Sequence, residues 1–214
     1  MTVRRQSYAV PSLAEIKVGG MTREAFLARA TLAAGAIYGL GAVTPFVRQT
    51  FAQEATGDIG ILNFALLIEH LESVFYDQAR QEVPGLDSDA KQLTENFATT
   101  EGVHVTVLTG LVGSLGGEPT PEPEVDFGNA LASQSSYLEL AQTFEDTGVS
   151  AYNGAGPRLE SKEALATAGT IVQVEGRHAA LIRMMRDEVP APVAFDDVLS
   201  IPQVRTRVEP FIVS

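Results

Sequence analysis

Glutamate stands three residues before histidine twice in this chain, in Glu101-Gly102-Val103-His104 and in Glu175-Gly176-Arg177-His178. Residues i and i+3 share a face of an α-helix, so each phrase aims one carboxylate and one imidazole the same way. Each phrase also follows an upstream glutamate with a tyrosine seven residues on: Glu69 with Tyr76 before the first, Glu145 with Tyr152 before the second. One half-motif is therefore written twice, Glu-x6-Tyr, a loop, then Glu-x2-His. Two helix pairs meeting face to face, with four carboxylates and two imidazoles between them, satisfy that spacing.

The apolar residues around these positions recur at the helical period. The spacing predicts four helices, over 58–80, 89–115, 129–152 and 161–189. Leu62, Leu66, Glu69, Ser73 and Tyr76 share a face of the first, with Asp58 as its N-cap. Phe97, Glu101, His104, Leu108 and Leu111 line the second, which Gly116-Gly117 stops. Leu131, Leu138, Ala141, Glu145, Val149 and Tyr152 line the third. Leu165, Ala168, Val172, Glu175, His178, Ile182 and Met185 line the fourth. Residues 116–128 are Pro-rich, acidic and extended. At ~3.3 Å per residue they reach about 43 Å, more than the roughly 36 Å of a 24-residue helix. The expected fold is all-α: a four-helix bundle running up-down-down-up, with one long crossover between helices 2 and 3. Residues 190–214 are expected to pack on it as a tail, anchored by Phe195, Ile201, Val204 and Phe211.

A net charge of −12 makes nucleic-acid binding improbable, and the absence of cysteine removes disulfides, thiolate metal sites and Cys nucleophiles. The charge is uneven. Residues 1–53 carry six Lys/Arg against two acids, and residues 54–214 carry nine against 25. The chain thus divides near residue 53 into a basic, apolar segment and an acidic bundle domain. Arg4, Arg5, Lys17, Arg23 and Arg29 precede a charge-free stretch over 30–47, and Thr50-Phe51-Ala52 resembles a cleavage site. Thr22-Arg23-Glu24-Ala25-Phe26-Leu27 resembles the twin-arginine export motif, with Glu24 in place of the second arginine. The expectation is an exported or membrane-anchored protein; the rival readings are membrane association through 26–47 and an oligomerising helix.

A bare carboxylate in a stripe of Leu, Val, Ala and Phe costs several kcal/mol. Four together raise one another's pKa values. Two divalent or trivalent cations would compensate, and oxygen with imidazole donors suits iron or manganese. The metal-ligand candidates are Glu69, Glu101, His104, Glu145, Glu175 and His178. Tyr76 and Tyr152 are the catalytic candidates, each placed to bond a ligand carboxylate across the bundle. Glu72 is an alternative ligand or a support for one. His70 is expected on the solvent side. Gly102 and Gly176 suggest that a neighbouring helix approaches closely, since mid-helix glycine costs about 1 kcal/mol relative to alanine.

In that order, these motifs resemble the ferritin-like di-iron carboxylate superfamily. Within it, LNFALLIEHLESVFYDQA and FATTEGVHVTVLTGLVGSLGGEP resemble the desiccation- or stress-related ferritin-like proteins. The resemblance covers about residues 58–212. It implies one ion on Glu69, Glu101 and His104, a second on Glu145, Glu175 and His178, and bridging by Glu101, Glu175 or both. It also implies a dinuclear Fe or Mn oxidoreductase that oxidises Fe(II) or consumes peroxide or O2, in a homo-oligomer. The alternative is a non-catalytic stress or structural protein on the same frame.

Overall fold

The structure is a computed structural model that describes residues 57–213; the readings placed on residues 1–53 lie outside them. Its described elements are helices α1 (Gly57–Glu82), α2 (Ser88–Ser114), α3 (Gln134–Ala155), α4 (Lys162–Met185) and a short α5 (Ile201–Val208). The four long helices sit where the apolar periodicity places them, in an all-α bundle of the expected kind.

Direction follows from cross-helix pairs. Tyr76 meets Glu145 while Tyr152 meets Glu69, so α1 and α3 are antiparallel. On the other side His178 approaches Glu101 while His104 approaches Glu175, so α2 and α4 are antiparallel too. With short turns joining α1 to α2 and α3 to α4, the order is up-down-down-up, and residues 115–133 form the crossover.

The helix ends have local causes. Asp87 caps α2, its carboxylate accepting from the amides of Asp89 and Ala90. Helix α3 begins five residues later than expected, because Gly128–Ala132 forms a 3-10 turn and Ser133 is the cap, accepting from the Ser136 amide. Helix α4 stops at Met185 rather than 189: Asp187 adopts φ 58°, and the Glu188 amide turns back to the Arg183 carbonyl. Asp58 lies inside α1 rather than before it. Its carboxylate accepts from the amides of Glu160 and Ser161 at 2.8 and 2.7 Å, fastening the loop that enters α4.

Helix α1 is buried without interruption from Leu66 to Glu72. It is long and apolar enough to cross a bilayer by composition, but most of that stretch lies inside the bundle. The crossover covers its outer side. Asn63 donates to the Glu118 carbonyl and accepts from the Thr120 amide, and His70 Nε2 donates to the Thr120 carbonyl at 3.2 Å. His70 is therefore a buried strut under the crossover, not a solvent-side residue, and burial lowers its pKa against the opposing pull of that carbonyl.

The tail packs on the bundle as expected, with Val204 and Phe211 among its anchors, Leu199, Val208 and Ile212 added to them, and Phe195 left out. Leu199 donates its amide to the Ser150 carbonyl, and Leu199, Val204, Val208 and Ile212 are buried. Ile212 forms an isolated antiparallel bridge with Val125 of the crossover. Phe211 packs its ring against Phe127 and Phe144. Ile201 is half-buried. Phe195 is 64% exposed, because the proline-rich stretch before Leu199 runs outside the bundle. Leu165, placed on the buried face of the fourth helix, is 46% exposed, and Ile171 fills the core instead.

Candidate metal centre

Glu69, Glu101, Glu145 and Glu175 are completely buried, and His104 and His178 nearly so. Helices α1 and α3 each give one glutamate, α2 and α4 each give one glutamate and one histidine a turn apart, and the bundle brings all six to one place. They form two overlapping groups: Glu69, Glu101, His104 and Glu175, and Glu101, Glu145, Glu175 and His178. Within each group the donor atoms lie within 4.8 Å of one another, compact enough for one ion. Glu101 and Glu175 belong to both.

The two tyrosines cross the bundle reciprocally. Tyr76 of α1 donates to Glu145 Oε1 of α3, and Tyr152 of α3 donates to Glu69 Oε1 of α1. Each holds one oxygen of an upstream glutamate and leaves the other facing inward. Burial, with the neighbouring carboxylates, raises both phenol pKa values, so the hydroxyls stay protonated donors.

His104 Nδ1 lies 2.8 Å from Glu101 Oε2 and 3.1 Å from Glu69 Oε2. His178 Nδ1 lies 2.8 Å from Glu101 Oε1, yet at an angle that makes no hydrogen bond. The Phe97 ring stacks on His178 with centroids 3.8 Å apart and planes 24° from parallel, fixing the imidazole's plane.

Among the described residues, the buried side-chain atoms without a hydrogen-bond partner are nearly all here. They are both oxygens of Glu72, both of Glu175, Glu101 Oε1, Glu145 Oε2 and His178 Nδ1; the exception is Gln142 Oε1. Buried polar atoms are otherwise almost always satisfied. Carboxylate oxygens and an imidazole nitrogen that face one another without hydrogen bonds suit a shared cation, and their chemistry fits iron or manganese.

Protonation reports the same strain. Burial pushes Glu69 up to about 7, against hydrogen bonding by His104. Burial and then neighbouring carboxylates push Glu72 and Glu175 well above the usual range. Burial also raises Glu145. Glu101 alone goes down, to about 2, because the two imidazoles outweigh its burial. His104 is held up at about 12 and His178 at about 9, since their carboxylate partners outweigh burial. A cluster this dense keeps its charge low by holding protons, and metal ions would take their place.

Two readings need correction or extension. A Cβ added at Gly102 or Gly176 would meet no neighbouring atom within 4 Å, so no helix approaches closely at either glycine. Glu72 is only 1% exposed and belongs to the unpartnered set. Its position three residues after Glu69 is the signal that marks the Glu-x2-His pairs, and it was open to the same reading.

Fold and donor set together define a helical-bundle protein with a buried carboxylate and histidine cluster compatible with a metal site. Residues 57–188 match the family described as the ferritin-like domain, and the chain belongs to that family. It is also similar to Protein rds1 of Schizosaccharomyces pombe (strain 972 / ATCC 24843), 23% identical over 163 residues. That match takes in 73% of this chain but 39% of the relative's length.

Proposed function

We propose that this protein holds two iron or manganese ions, one in each four-residue group, and uses them to oxidise Fe(II) or to consume peroxide or O2 in stress protection. The observation that carries the reading is the convergence of unpartnered donor atoms from Glu101, Glu145, Glu175 and His178 in one buried cluster. Bound there, such ions supply a reversible change of oxidation state and a Lewis-acid site for small oxygen species. Glu101 and Glu175, which belong to both groups, would be shared between the ions, and His104 and His178 would each give one nitrogen to one of them. Tyr76 and Tyr152 hold Glu145 and Glu69 in orientation and keep protons on hydroxyls a single hydrogen bond from the ligands. Phe97 and the surrounding leucines exclude bulk water. The signal-like sequence before residue 53 supports an exported or membrane-anchored setting.

The test is metal content, by plasma mass spectrometry, of protein isolated without chelators, beside the Glu101→Ala/His178→Ala double variant. About two Fe or Mn per chain, lost in the variant, is the expected result; Fe(II) and peroxide turnover then distinguish the two reactions. Wild-type protein that takes up neither metal after anaerobic loading overturns the reading, and a loaded but inert protein supports a structural role.

A further inference from the structure

Counted from the motif glutamates, each position in one half of the bundle has a counterpart in the other. Phe75, Tyr137 and Phe144 have Ala151, Ile61 and Ile68 as their counterparts, and Thr94 has Ala168. At the first end three rings fill the space beside Tyr76. Phe75 lies 5.5 Å from Tyr137 and 5.0 Å from Phe144, centroid to centroid. At the other end the smaller side chains leave a cavity beside Tyr152.

About 10 Å³ of that cavity is open to the centre of a water-sized molecule, which is room for one such molecule. Among the described residues its lining, which includes Ile61, Ile68, Ala151, Ala155 and Ala168, is aliphatic or aromatic apart from one glycine, and every lining residue is buried. The one polar side-chain atom on those residues is the Tyr152 hydroxyl, and it already donates to Glu69 Oε1. A water molecule there would find no free side-chain partner, and neither would the two hydroxyls of peroxide. Apolar cavities of this kind stay dry and take apolar guests. A diatomic gas has the size and the chemistry that fit. Only the Tyr152 side chain stands between such a guest and a carboxylate of the cluster.

We propose that this cavity is a binding site for molecular oxygen beside the cluster, and that O2 rather than peroxide is the oxidant admitted on the Tyr152 side. This rests on the reading of the cluster as a metal centre that uses small oxygen species, and it narrows the choice among them. The duplicated frame is then unequal by design of its packing: aromatic rings close one end, and alanine and isoleucine leave the other open to a gas.

Solution NMR of the metal-free full chain, with alanine and isoleucine methyls labelled and O2 applied under pressure, tests this. Dissolved O2 is paramagnetic and speeds the relaxation of protons near it. Relaxation at the methyls of Ile61, Ile68, Ala151 and Ala155 should rise several-fold more than at Ala79 and Ala141, which are equally buried. Ala151→Val fills the space and should bring the remaining methyls down to the Ala79 level. Ala168→Val, from α4, should do the same, and it decides the matter if Ala151→Val disturbs α3. Hydrogen peroxide added to wild type should leave the same methyl shifts unchanged. Relaxation that is uniform over the buried methyls, enhancement that survives both valines, or shifts produced by peroxide overturns the proposal. None of these readouts needs bound metal, so their failure leaves the metal reading standing. A chain that takes up no metal overturns that reading separately.

Discussion

Tyr152 donates its hydroxyl to Glu69 Oε1 across the bundle at 2.5 Å, and that bond leaves only Oε2 of Glu69 facing the His104 side. Tyr76 does the same for Glu145. A carboxylate tethered at one oxygen by a protonated phenol is fixed in orientation before any cation arrives. Tyr152→Phe and Tyr76→Phe remove the tether and little else. Each should lower affinity for Fe(II) or Co(II) by about tenfold, with helix content unchanged, as read by competition against a chelator of known affinity. Unchanged affinity in both would remove the tyrosines from the site's design.

The pH dependence of the metal-free chain follows from the shifted groups. Glu69 holds its proton up to about 7, against 4.5 when unfolded, so the folded state binds more protons between those values. His104, held up at about 12, and His178, at about 9, extend the same sign above 6.5. Stability of the apoprotein should therefore be greatest near pH 4.5–5 and fall as pH rises toward 9. Glu101, lowered to about 2, has the opposite sign, and its contribution is lost only as pH falls from 4.5 through 2. Metal ions replace the protons, so the gain in melting temperature on loading should widen as pH rises over the same range. Calorimetric scans of apo and loaded protein from pH 5 to 9 check both slopes; a gap that narrows with pH would contradict the assignment.

Much of the bundle could be read from the sequence because helical period and donor spacing are local. Glu69, Glu101 and Glu175 are each surrounded by their own apolar stripe, so their burial was visible without knowing their neighbours. His70 and the tail were different. His70 is buried by Thr120, fifty residues away, and Phe195 is 64% exposed because the chain meets α3 beyond it, at Asp197 and Leu199. Such outcomes depend on where a crossover and a tail run, which no local period records. Glu72 lies between these cases: its spacing from Glu69 was legible, but the opening at Gly148 that receives it was not.

The glycines separate along the same line. At Gly154 a Cβ would lie 1.8 Å from the Leu199 carbonyl oxygen, a backbone atom that cannot turn aside. Gly154→Ala should cost about 1–3 kcal/mol and loosen the tail, seen as a lower melting temperature and earlier proteolytic cleavage between residues 186 and 200. Gly102 and Gly176 sit mid-helix in open space. Alanine at either should stabilise by up to about 1 kcal/mol, roughly 2–4 °C in melting temperature for a domain of this size. Destabilisation by both alanines would restore a packing role for these positions.

Phe97 separates the cluster from a groove between α2 and α4. The groove, of about 530 Å³, is lined by Asp89, Glu95, Asn96, Phe97, Leu181 and Met185 among others. Phe97 is 1% exposed and its ring lies flat on His178. One aromatic side chain therefore stands between the groove and an imidazole of the candidate site, which makes it the shortest barrier to an entering ion on this side. Phe97→Leu keeps the position apolar but gives up the flat ring. Release of bound metal to excess chelator should quicken by about tenfold, equivalent to a barrier lowered by roughly 1.4 kcal/mol, while equilibrium affinity shifts by less. Stopped-flow release beside an equilibrium titration reads the two separately. A rate that does not change, or that changes only in step with affinity, would place the entry route elsewhere.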